Sequence, residues 1–203
     1  MKLSIYYDNP NEASDMYLKW LKKDCEKNEI EVEVIDNFQD WISSESDAEL
    51  FLEPIKDDRI KCMRDNNPAN VDSPSATAQG IYNYITKNYP NREENILVIG
   101  RGLVGKQLID KLINYGYTVL ECNSQTPIGD LRQYTMFMHI VVGLANQDNI
   151  LDADWCDRLY YNATVLIDSG NNFDTKNKFR CGKWTRDVII QRIKALGKGE
   201  NEV

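Results

Sequence analysis

The sequence predicts an α/β fold with parallel β-sheets. Short apolar runs rich in β-branched residues, such as residues 96–99, alternate with stretches whose apolar residues recur at helical spacing, such as residues 12–28. Runs of the first kind are typical of strands covered on both faces, and a regular alternation of strands and helices is typical of parallel sheets. Because both halves of the chain show this alternation, we expect two α/β lobes.

The first half of the chain is predicted to form the smaller α/β lobe. Strands are expected at residues 2–7, 30–35 and 49–55, and helices at residues 12–28 and 78–88. Residues 36–48 are polar and predict a short helix or a loop around Trp41. Residues 57–78 contain prolines and show little periodicity, so they are predicted to form a loop with at most one helical turn.

The second half is predicted to contain a longer series of strands and helices. Strands are expected at residues 96–99, 117–122, 139–142 and 163–168, and the last helix at residues 185–196. A turn with a short helix is expected at residues 127–134, and a short helical or irregular piece at residues 155–161. The helix after the first of these strands has Val104, Leu108 and Leu112 on one face and ends at Gly116, a typical C-terminal cap.

Three glycines follow the strand at residues 96–99 with the spacing G-x-G-x-x-G. In this spacing Gly100 makes the tight turn, Gly102 lets the backbone approach a pyrophosphate, and Gly105 lets the helix pack closely on the sheet. Because the glycines lie between a strand and a helix, the sequence predicts a dinucleotide site in a Rossmann-like domain at residues 88–175. The alternative is a doubly wound fold whose glycine turn packs but binds nothing. The other lobe is assigned residues 1–87 and the C-terminal helical segment 176–203.

Composition and charge exclude several classes of function. The 203 residues carry a formal net charge of −8, which is unfavourable for binding nucleic acid because that needs a basic face. No apolar run approaches the ~20 residues of a membrane span and no signal peptide precedes the first strand, so a cytoplasmic protein without a membrane partner is expected. Five scattered cysteines without a C-x-x-C pair predict reduced thiols, and the single His139 precedes an apolar strand, so no metal site is expected.

Four motifs follow one another in the second half of the chain. They are residues 98–107 (VIGRGLVGKQ), 118–126 (TVLECNSQT), 140–142 (IVV) and 166–172 (LIDSGNN). In this order they resemble V-x-G-R-S-x-x-V-G-x-P, T-V-x-x-C-H-S-x-T, I-V-V and V-I-D-x-G-x-N of the bifunctional methylenetetrahydrofolate dehydrogenase/cyclohydrolase family, with a first turn one residue shorter. The resemblance implies NADP or NAD as the cofactor and a homodimer.

The first half resembles the same family with changes at chemically important positions. Residues 14–21 (SDMYLKWL) resemble S-x-x-Y-x-x-x-K, so Tyr17 matches the tyrosine and Leu21 stands where the family has lysine. The resemblance implies that the catalytic-site residues are Tyr17, which would stack on a pterin ring, and Asp72, which would accept paired hydrogen bonds from it. Structural roles for both residues stay open as alternatives. Leu52 stands where glutamine is usual.

The change at position 21 bears on the cyclohydrolase step, for which the family's lysine is the acid/base group. Leu21 lies about 40° from Tyr17 around the helix axis, and Lys19, Lys22 and Lys23 all face away, so no neighbour replaces the missing group. We expect a lysine introduced at position 21 to be partly buried beside Tyr17, with its pKa lowered towards the range useful for acid/base catalysis.

On the cofactor side, the resemblance implies that Arg101 and Ser124 lie near the adenosine ribose, where a cation favours a 2′-phosphate. Glu121 would instead accept a hydrogen bond from a 2′-hydroxyl and favour NAD, so the choice between NADP and NAD stays open. Gly170 follows a strand end, where open α/β sheets bind ligands. Segments 75–80 and 181–185 also resemble family motifs and add one threonine each to the predicted cofactor site. The predicted cofactor-binding residues are Thr77, Gly100, Arg101, Gly102, Gly105, Ser124, Gly170 and Thr185.

The resemblance implies an NAD(P)-dependent oxidoreductase of one-carbon folate metabolism that oxidises methylenetetrahydrofolate to methenyltetrahydrofolate. Leu21 at the position of the family's lysine argues against cyclohydrolase activity. Its partner would be a folate-type small molecule. Two alternatives stay open: a non-catalytic nucleotide-binding relative, and a dehydrogenase that acts on a different small substrate.

Overall fold

The computed structural model describes residues 1–199, so residues 200–203 of the predicted C-terminal segment lie outside the described residues. The predicted α/β fold with parallel sheets is confirmed. The chain divides into two compact units. Unit 1 comprises Met1–Ala76 together with the segment that begins at Arg186, and unit 2 comprises Thr77–Thr185.

Unit 1 is built on a three-stranded parallel sheet with the order β2-β1-β3. Its elements before the border are β1 (Lys2–Tyr6), α1 (Glu12–Glu26), β2 (Glu31–Ile35), α2 (Phe38–Ser43), β3 (Ala48–Phe51) and α3 (Asp58–Asn66). The start of α1 is capped reciprocally: the Asn11 side chain accepts from the Ser14 N–H, and the Ser14 hydroxyl accepts from the Asn11 N–H. This capping box stabilises the helix start at the predicted residue.

Unit 2 is built on a five-stranded parallel sheet with the order β5-β4-β6-β7-β8. The helices and strands are α4 (Ala76–Asn88), β4 (Asn95–Ile99), α5 (Leu103–Tyr115), β5 (Thr118–Cys122), α6 (Ile128–Thr135), β6 (Ile140–Gly143), α7 (Ala153–Tyr161), β7 (Val165–Asp168), β8 (Phe179–Arg180) and α8 (Gly182–Gly199), the last of which continues into unit 1. Ile96 and Val98 of β4 pack in one apolar cluster, and Leu97 and Ile99 pack in another. Both faces of the sheet are therefore covered, as the uninterrupted apolar run predicts.

The apolar core of unit 1 contains residues from α1, the sheet and the later part of α8. Leu18, Leu21 and Cys25 of α1 share this cluster with Ile189 and Ile193 of α8. The C-terminal part of α8 is thus a structural element of unit 1.

Two elements of the structure were absent from the sequence prediction. Helix α3 lies where a loop was predicted: Asp57 caps it by accepting from the Arg59 N–H, and Ile60 buries its side chain in a cluster around Trp41. One fully buried apolar residue anchors the helix, so its sequence shows no apolar period. Strand β8 has only two residues, both exposed, and is defined by its pairing with β7.

The border between the units also differs from the predicted border at residue 88. Ile81 and Ile85 of α4 pack in the same cluster as Ile96 of β4, so α4 lies in unit 2. In the described part of the chain, we find no helix that combines the length and the apolar character needed to cross a membrane.

Candidate functional site

The glycine turn lies where the strand order of unit 2 reverses. β4 has β5 on one side and β6 on the other, so the loops after β4 and β6 leave adjacent strands at the carboxyl edge of the sheet. In open α/β sheets this switch point is where ligands bind. Gly100 has φ +113°, a left-handed conformation that favours glycine, and a Cβ there would lie 2.7 Å from the Ala145 nitrogen in the loop after β6.

Gly105 and Gly102 differ in what surrounds them. A Cβ on Gly105 would overlap the carbonyl oxygen of Gly100, so the close packing of α5 on the turn requires a glycine there. A Cβ on Gly102 would meet no atom of the described residues within 4 Å beyond its chain neighbours, and its backbone is extended with φ −68°. The protein's own packing therefore explains Gly100 and Gly105 but not Gly102.

The N-terminus of α5 has the features of an anion site. Gly102 is its N-cap and has no side chain to accept from the first turn, and Leu103, Val104 and Gly105 carry no negative charge. The backbone N–H groups of a first helical turn and the helix dipole both favour a bound anion such as a pyrophosphate. Gly102 thus leaves open space beside the N-terminus of this helix.

Two of the predicted ribose-side residues pair with each other. The Nε atom of Arg101 lies 3.4 Å from the Oε1 atom of Glu121, and the two side chains are 60% and 41% exposed. Ser124 is exposed in the turn after β5, which is closed by a hydrogen bond from the Thr126 N–H to the Asn123 carbonyl. The carboxyl ends of β4 and β5 therefore present a cation, a carboxylate and a hydroxyl at the same edge of the sheet as the glycine turn.

The structure also brings together two predicted residues that are 108 positions apart in the sequence. The hydroxyl of Thr185 lies 3.1 Å from the hydroxyl of Thr77 and also donates to the Cys181 carbonyl at 3.2 Å. Nearby in unit 2, Gly80 of α4 packs against the backbone of Trp184, where a Cβ would come within 2.9 Å. Close helix packing thus accounts for Gly80, and it brings the threonine pair together.

Gly170 lies in a loop that a buried carboxylate organises. Asp168 accepts hydrogen bonds from the N–H groups of Gly170, Asn172 and Phe173, and it forms an ion pair of 2.6 Å with Lys178. Both side chains of the pair are almost fully buried, so Asp168 acts as the structural anchor of this loop. Gly170 itself is exposed, with open space where a Cβ would lie.

Asn172 is a residue of this site that the sequence analysis did not single out. Its Nδ2 atom donates to the carbonyls of Ala145 and Gln147, at 2.7 and 2.6 Å, and its side chain packs against Gly143. The buried amide therefore ties the loop after β7 to the loop after β6, which in turn contacts Gly100. Its place in the motif at residues 166–172 was the available sequence signal.

We expect Asn172→Ala to destabilise the protein by about 1–3 kcal/mol, because the variant loses a buried amide and both of its hydrogen bonds to the partly buried carbonyls of Ala145 and Gln147. Urea unfolding measures the change. Asn171→Ala is the matched control: it removes an exposed amide of the same kind and should change the free energy of unfolding by no more than about 0.5 kcal/mol. Equal losses in the two variants would contradict the tethering role.

Tyr17 and Asp72, the predicted folate-side residues, both lie in unit 1. Tyr17 is half-buried on α1, and the Arg186 guanidinium lies over its ring, 5.9 Å from the centroid. Asp72 accepts from the Ala76 N–H at 2.8 Å at the start of α4. Burial raises the pKa of the Asp72 carboxyl, while this hydrogen bond and the charge of Arg192 act in the opposite direction.

The structure corrects the expected setting of Leu21. Its side chain is 0% exposed and lies inside the core of unit 1 together with Leu52, so a lysine there would be fully and not partly buried. The helical period identifies the face of α1 on which Leu21 lies, but the depth of burial depends on residues from the sheet and α8.

The buried cysteines lie in surroundings that disfavour the thiolate. Burial raises the pKa of Cys25, Cys156 and Cys181 to about 11 in each case. Within residues 1–199 no cluster of histidine, cysteine and acidic side chains is arranged to hold a metal ion. The Nδ1 atom of His139 accepts from the Asn95 N–H, which is a structural contact next to β4.

Two open surface pockets lie apart from the predicted site residues. One of about 590 Å³ in unit 2 is lined by charged and amide side chains that include Asp148, Asp174 and Lys176. The other, of about 920 Å³ in unit 1, lies along α1 and includes Trp20 and Lys23. No residue of the glycine turn lines either of them.

Comparison with protein families gives one match that covers more than half of the chain. Residues 75–198 match the family model described as tetrahydrofolate dehydrogenase/cyclohydrolase, NAD(P)-binding domain. Among curated proteins, the chain is similar to the bifunctional protein FolD of Ralstonia pickettii (strain 12J), with 36% identity over 110 residues, which are 54% of this chain and 34% of that protein. The matched segment thus spans about a third of the length of this relative.

Solved structures share the fold over nearly the whole chain. The NAD-dependent 5,10-methylenetetrahydrofolate dehydrogenase of Saccharomyces cerevisiae aligns with a TM-score of 0.77 and 14% identity, covering 98% of this chain and 87% of that one. The methylenetetrahydrofolate dehydrogenase-cyclohydrolase (FolD) of Trypanosoma brucei, complexed with NADP and an inhibitor, aligns with a TM-score of 0.74 and 16% identity, covering 100% and 88%. At these identities the likeness is one of fold.

Proposed function

Because this chain belongs to the tetrahydrofolate dehydrogenase/cyclohydrolase family, with residues 75–198 as its NAD(P)-binding domain, we propose that it is an NAD(P)-dependent oxidoreductase that converts methylenetetrahydrofolate to methenyltetrahydrofolate. The observation that carries the proposal is the open space at Gly102, at the switch point of the sheet. Two neighbouring glycines are required by the packing of the turn, whereas Gly102 is explained by a ligand that approaches the backbone closely.

The residues around the turn fit a dinucleotide. The uncapped first turn of α5 would receive the pyrophosphate, and Arg101, Glu121 and Ser124 would surround the adenosine ribose. We assign Thr77, Thr185 and Gly170 to the same cofactor, on the basis of the family motifs. When bound, the nicotinamide supplies the hydride acceptor, so the chain's own residues act by orienting the two reactants.

On the folate side, we propose that Tyr17 stacks on the pterin ring and that Asp72 accepts hydrogen bonds from its N–H groups. A carboxylate accepts from two donors only in its charged form. The Ala76 N–H and the positive charge of Arg192 favour that form against the effect of burial. Burial is the larger effect and leaves the pKa of Asp72 raised, so the N–H donors of the pterin would themselves have to stabilise the charged carboxylate.

We propose that the chain lacks cyclohydrolase activity. The position that matches the family's lysine is Leu21, which cannot transfer a proton, and loss of a positioned acid/base group typically costs about 10²- to 10⁴-fold in rate. Hydride transfer makes no such demand on a side chain, so the dehydrogenase step survives this change.

A second candidate function is binding of a nucleotide without folate chemistry. It is favoured by the burial of both Leu21 and Leu52 in the core of unit 1, at positions where the family has polar residues. A dehydrogenase that acts on another small substrate is consistent with the same two substitutions. We also propose a homodimer, which the family resemblance suggests and sedimentation equilibrium would test. A cytoplasmic location is proposed from the sequence.

Titration calorimetry with NAD, NADP and tetrahydrofolate, followed by an assay of cofactor reduction with methylenetetrahydrofolate, tests these functions together. Binding of a dinucleotide and of folate, with reduction of the cofactor, is the result expected for the dehydrogenase. Binding of a dinucleotide alone would favour the second candidate or another substrate. No dinucleotide binding at millimolar concentration would overturn both, and the glycine turn would then be a packing feature.

A further inference from the structure

The ion pair between Arg101 and Glu121 bears on which dinucleotide the protein takes. Arg101 directly follows Gly100, and Glu121 is the penultimate residue of β5. Their adjacent parallel strands bring both side chains to the same edge of the sheet, with Val98 opposite Glu121 in the register and 3.4 Å between the charged groups. The positive charge of Arg101 is therefore already paired with the negative charge of Glu121.

The position of Glu121 matches that of an acidic residue with a known use in such folds. It follows Gly100 by 21 positions (121 − 100), and in dinucleotide-binding folds an acidic residue about 20 positions beyond the glycine turn accepts hydrogen bonds from the ribose hydroxyl. A carboxylate is a pure acceptor, so it suits a hydroxyl that has a hydrogen to donate.

The negative charge of the same carboxylate disfavours the binding of a 2′-phosphate. A phosphomonoester carries about −1.5 to −2 charge at pH 7 and offers only acceptor oxygens to Glu121. Arg101 contacts Glu121 through its Nε atom, so a phosphate that binds the same guanidinium would lie beside a like charge. Ser124 does not offset this effect, because a hydroxyl interacts with either form of the ribose.

We propose that Glu121, acting with Arg101, makes this protein selective for NAD over NADP. The proposal rests on the dinucleotide site of the proposed function and adds to it the identity of the specificity residue. Arg101 serves here to hold Glu121 in position at the ribose, and is not the 2′-phosphate ligand that the family resemblance implies.

The test is the ratio of the dissociation constants of NADP and NAD, measured by calorimetry on the full chain. We expect the unmodified protein to bind NAD at least about tenfold more tightly, since juxtaposed like charges at a binding site oppose the wrong ligand. Glu121→Gln keeps the size of the side chain and removes its charge, and it should lower the ratio about tenfold by strengthening NADP binding. Arg101→Ala should also lower the ratio, by weakening NAD binding, because Glu121 then loses the partner that holds it at the ribose. A ratio that rises in this variant would mean that Arg101 binds the 2′-phosphate, and it would overturn the role proposed for Arg101.

Glu93→Gln is the matched control. It removes the same charge from an exposed position before β4, at the opposite end of that strand, and should leave the ratio unchanged. The ratio should also fall as ionic strength rises, because exposed charges are screened.

A ratio of one or below in the unmodified protein would overturn the proposal, as would a ratio that Glu121→Gln does not change. The ratio measured on the unmodified protein tests the proposal even if a variant does not fold. Failure of both dinucleotides to bind is a different result, because it removes the proposed function itself.

Discussion

Replacing Gly102 with valine is expected to abolish the binding of NAD and NADP while the protein stays folded. A valine side chain would occupy the open space through which a pyrophosphate approaches α5, and we expect the dissociation constant to rise by about 100-fold or more. Because the extended backbone at Gly102 suits any residue and no described atom lies where the Cβ would stand, the free energy of unfolding should change by no more than about 1 kcal/mol. Calorimetry and urea unfolding measure the two quantities.

Two further variants make the result specific. Gly102→Ala adds a smaller side chain in the same space and should weaken binding less than valine does. Gly105→Ala would collide with the Gly100 carbonyl, so stability and binding should fall together, with a loss of about 1–3 kcal/mol in stability. If Gly102→Val binds a dinucleotide as tightly as the unmodified protein, the ligand does not approach the turn at this glycine.

Leu21→Lys is expected to destabilise the protein by about 3–5 kcal/mol at pH 7 and to restore no cyclohydrolase activity. The leucine is fully buried in the core of unit 1, so the variant loses apolar packing and places an amine among aliphatic side chains. Leu21→Met is the control: it conserves volume and should cost less than about 1.5 kcal/mol. The measurement is urea unfolding of both variants, alongside an assay of methenyltetrahydrofolate hydrolysis.

The destabilisation by lysine should depend on pH with a defined sign. Burial lowers the pKa of a lysine in the folded state, whereas in the unfolded chain it stays near about 10.4. Between these values the unfolded state binds more protons, so the stability of the variant should rise with pH, by up to about 1.4 kcal/mol per unit. A variant that is as stable as the unmodified protein at pH 7 and hydrolyses the methenyl compound would contradict the burial of position 21.

The alternating pattern of the sequence was sufficient to predict the fold class and most elements. In β4 four consecutive apolar residues required cover on both faces, and the two clusters of unit 2 supply it. Helix α3 was not predicted because Ile60 is its one fully buried apolar residue, with only the partly buried Met63 beside it in the same cluster. Strand β8 was not predicted because two residues are too few to show a period. The border near residue 88 was predicted at the end of a helix, but the packing of Ile81 decides to which unit that helix belongs.

The candidate site was predictable only where it is local in sequence. The spacing of Gly100, Gly102 and Gly105 predicted a turn, and the surroundings of each glycine distinguish packing from ligand approach. The pairing of Arg101 with Glu121 depends on which strands are neighbours, which spacing does not give. The burial of Leu21 likewise depends on residues from a distant helix.

The contact between Thr77 and Thr185 brings the two ends of unit 2 together. These two residues are the first and the last of unit 2, and their hydroxyls lie 3.1 Å apart. Unit 2, a segment of more than a hundred residues, thus begins and ends at nearly the same point in space. Connecting it to the flanking segments therefore costs little loop-closure entropy. The two ends of unit 2 therefore lie together, which is the arrangement typical of a domain inserted into another domain.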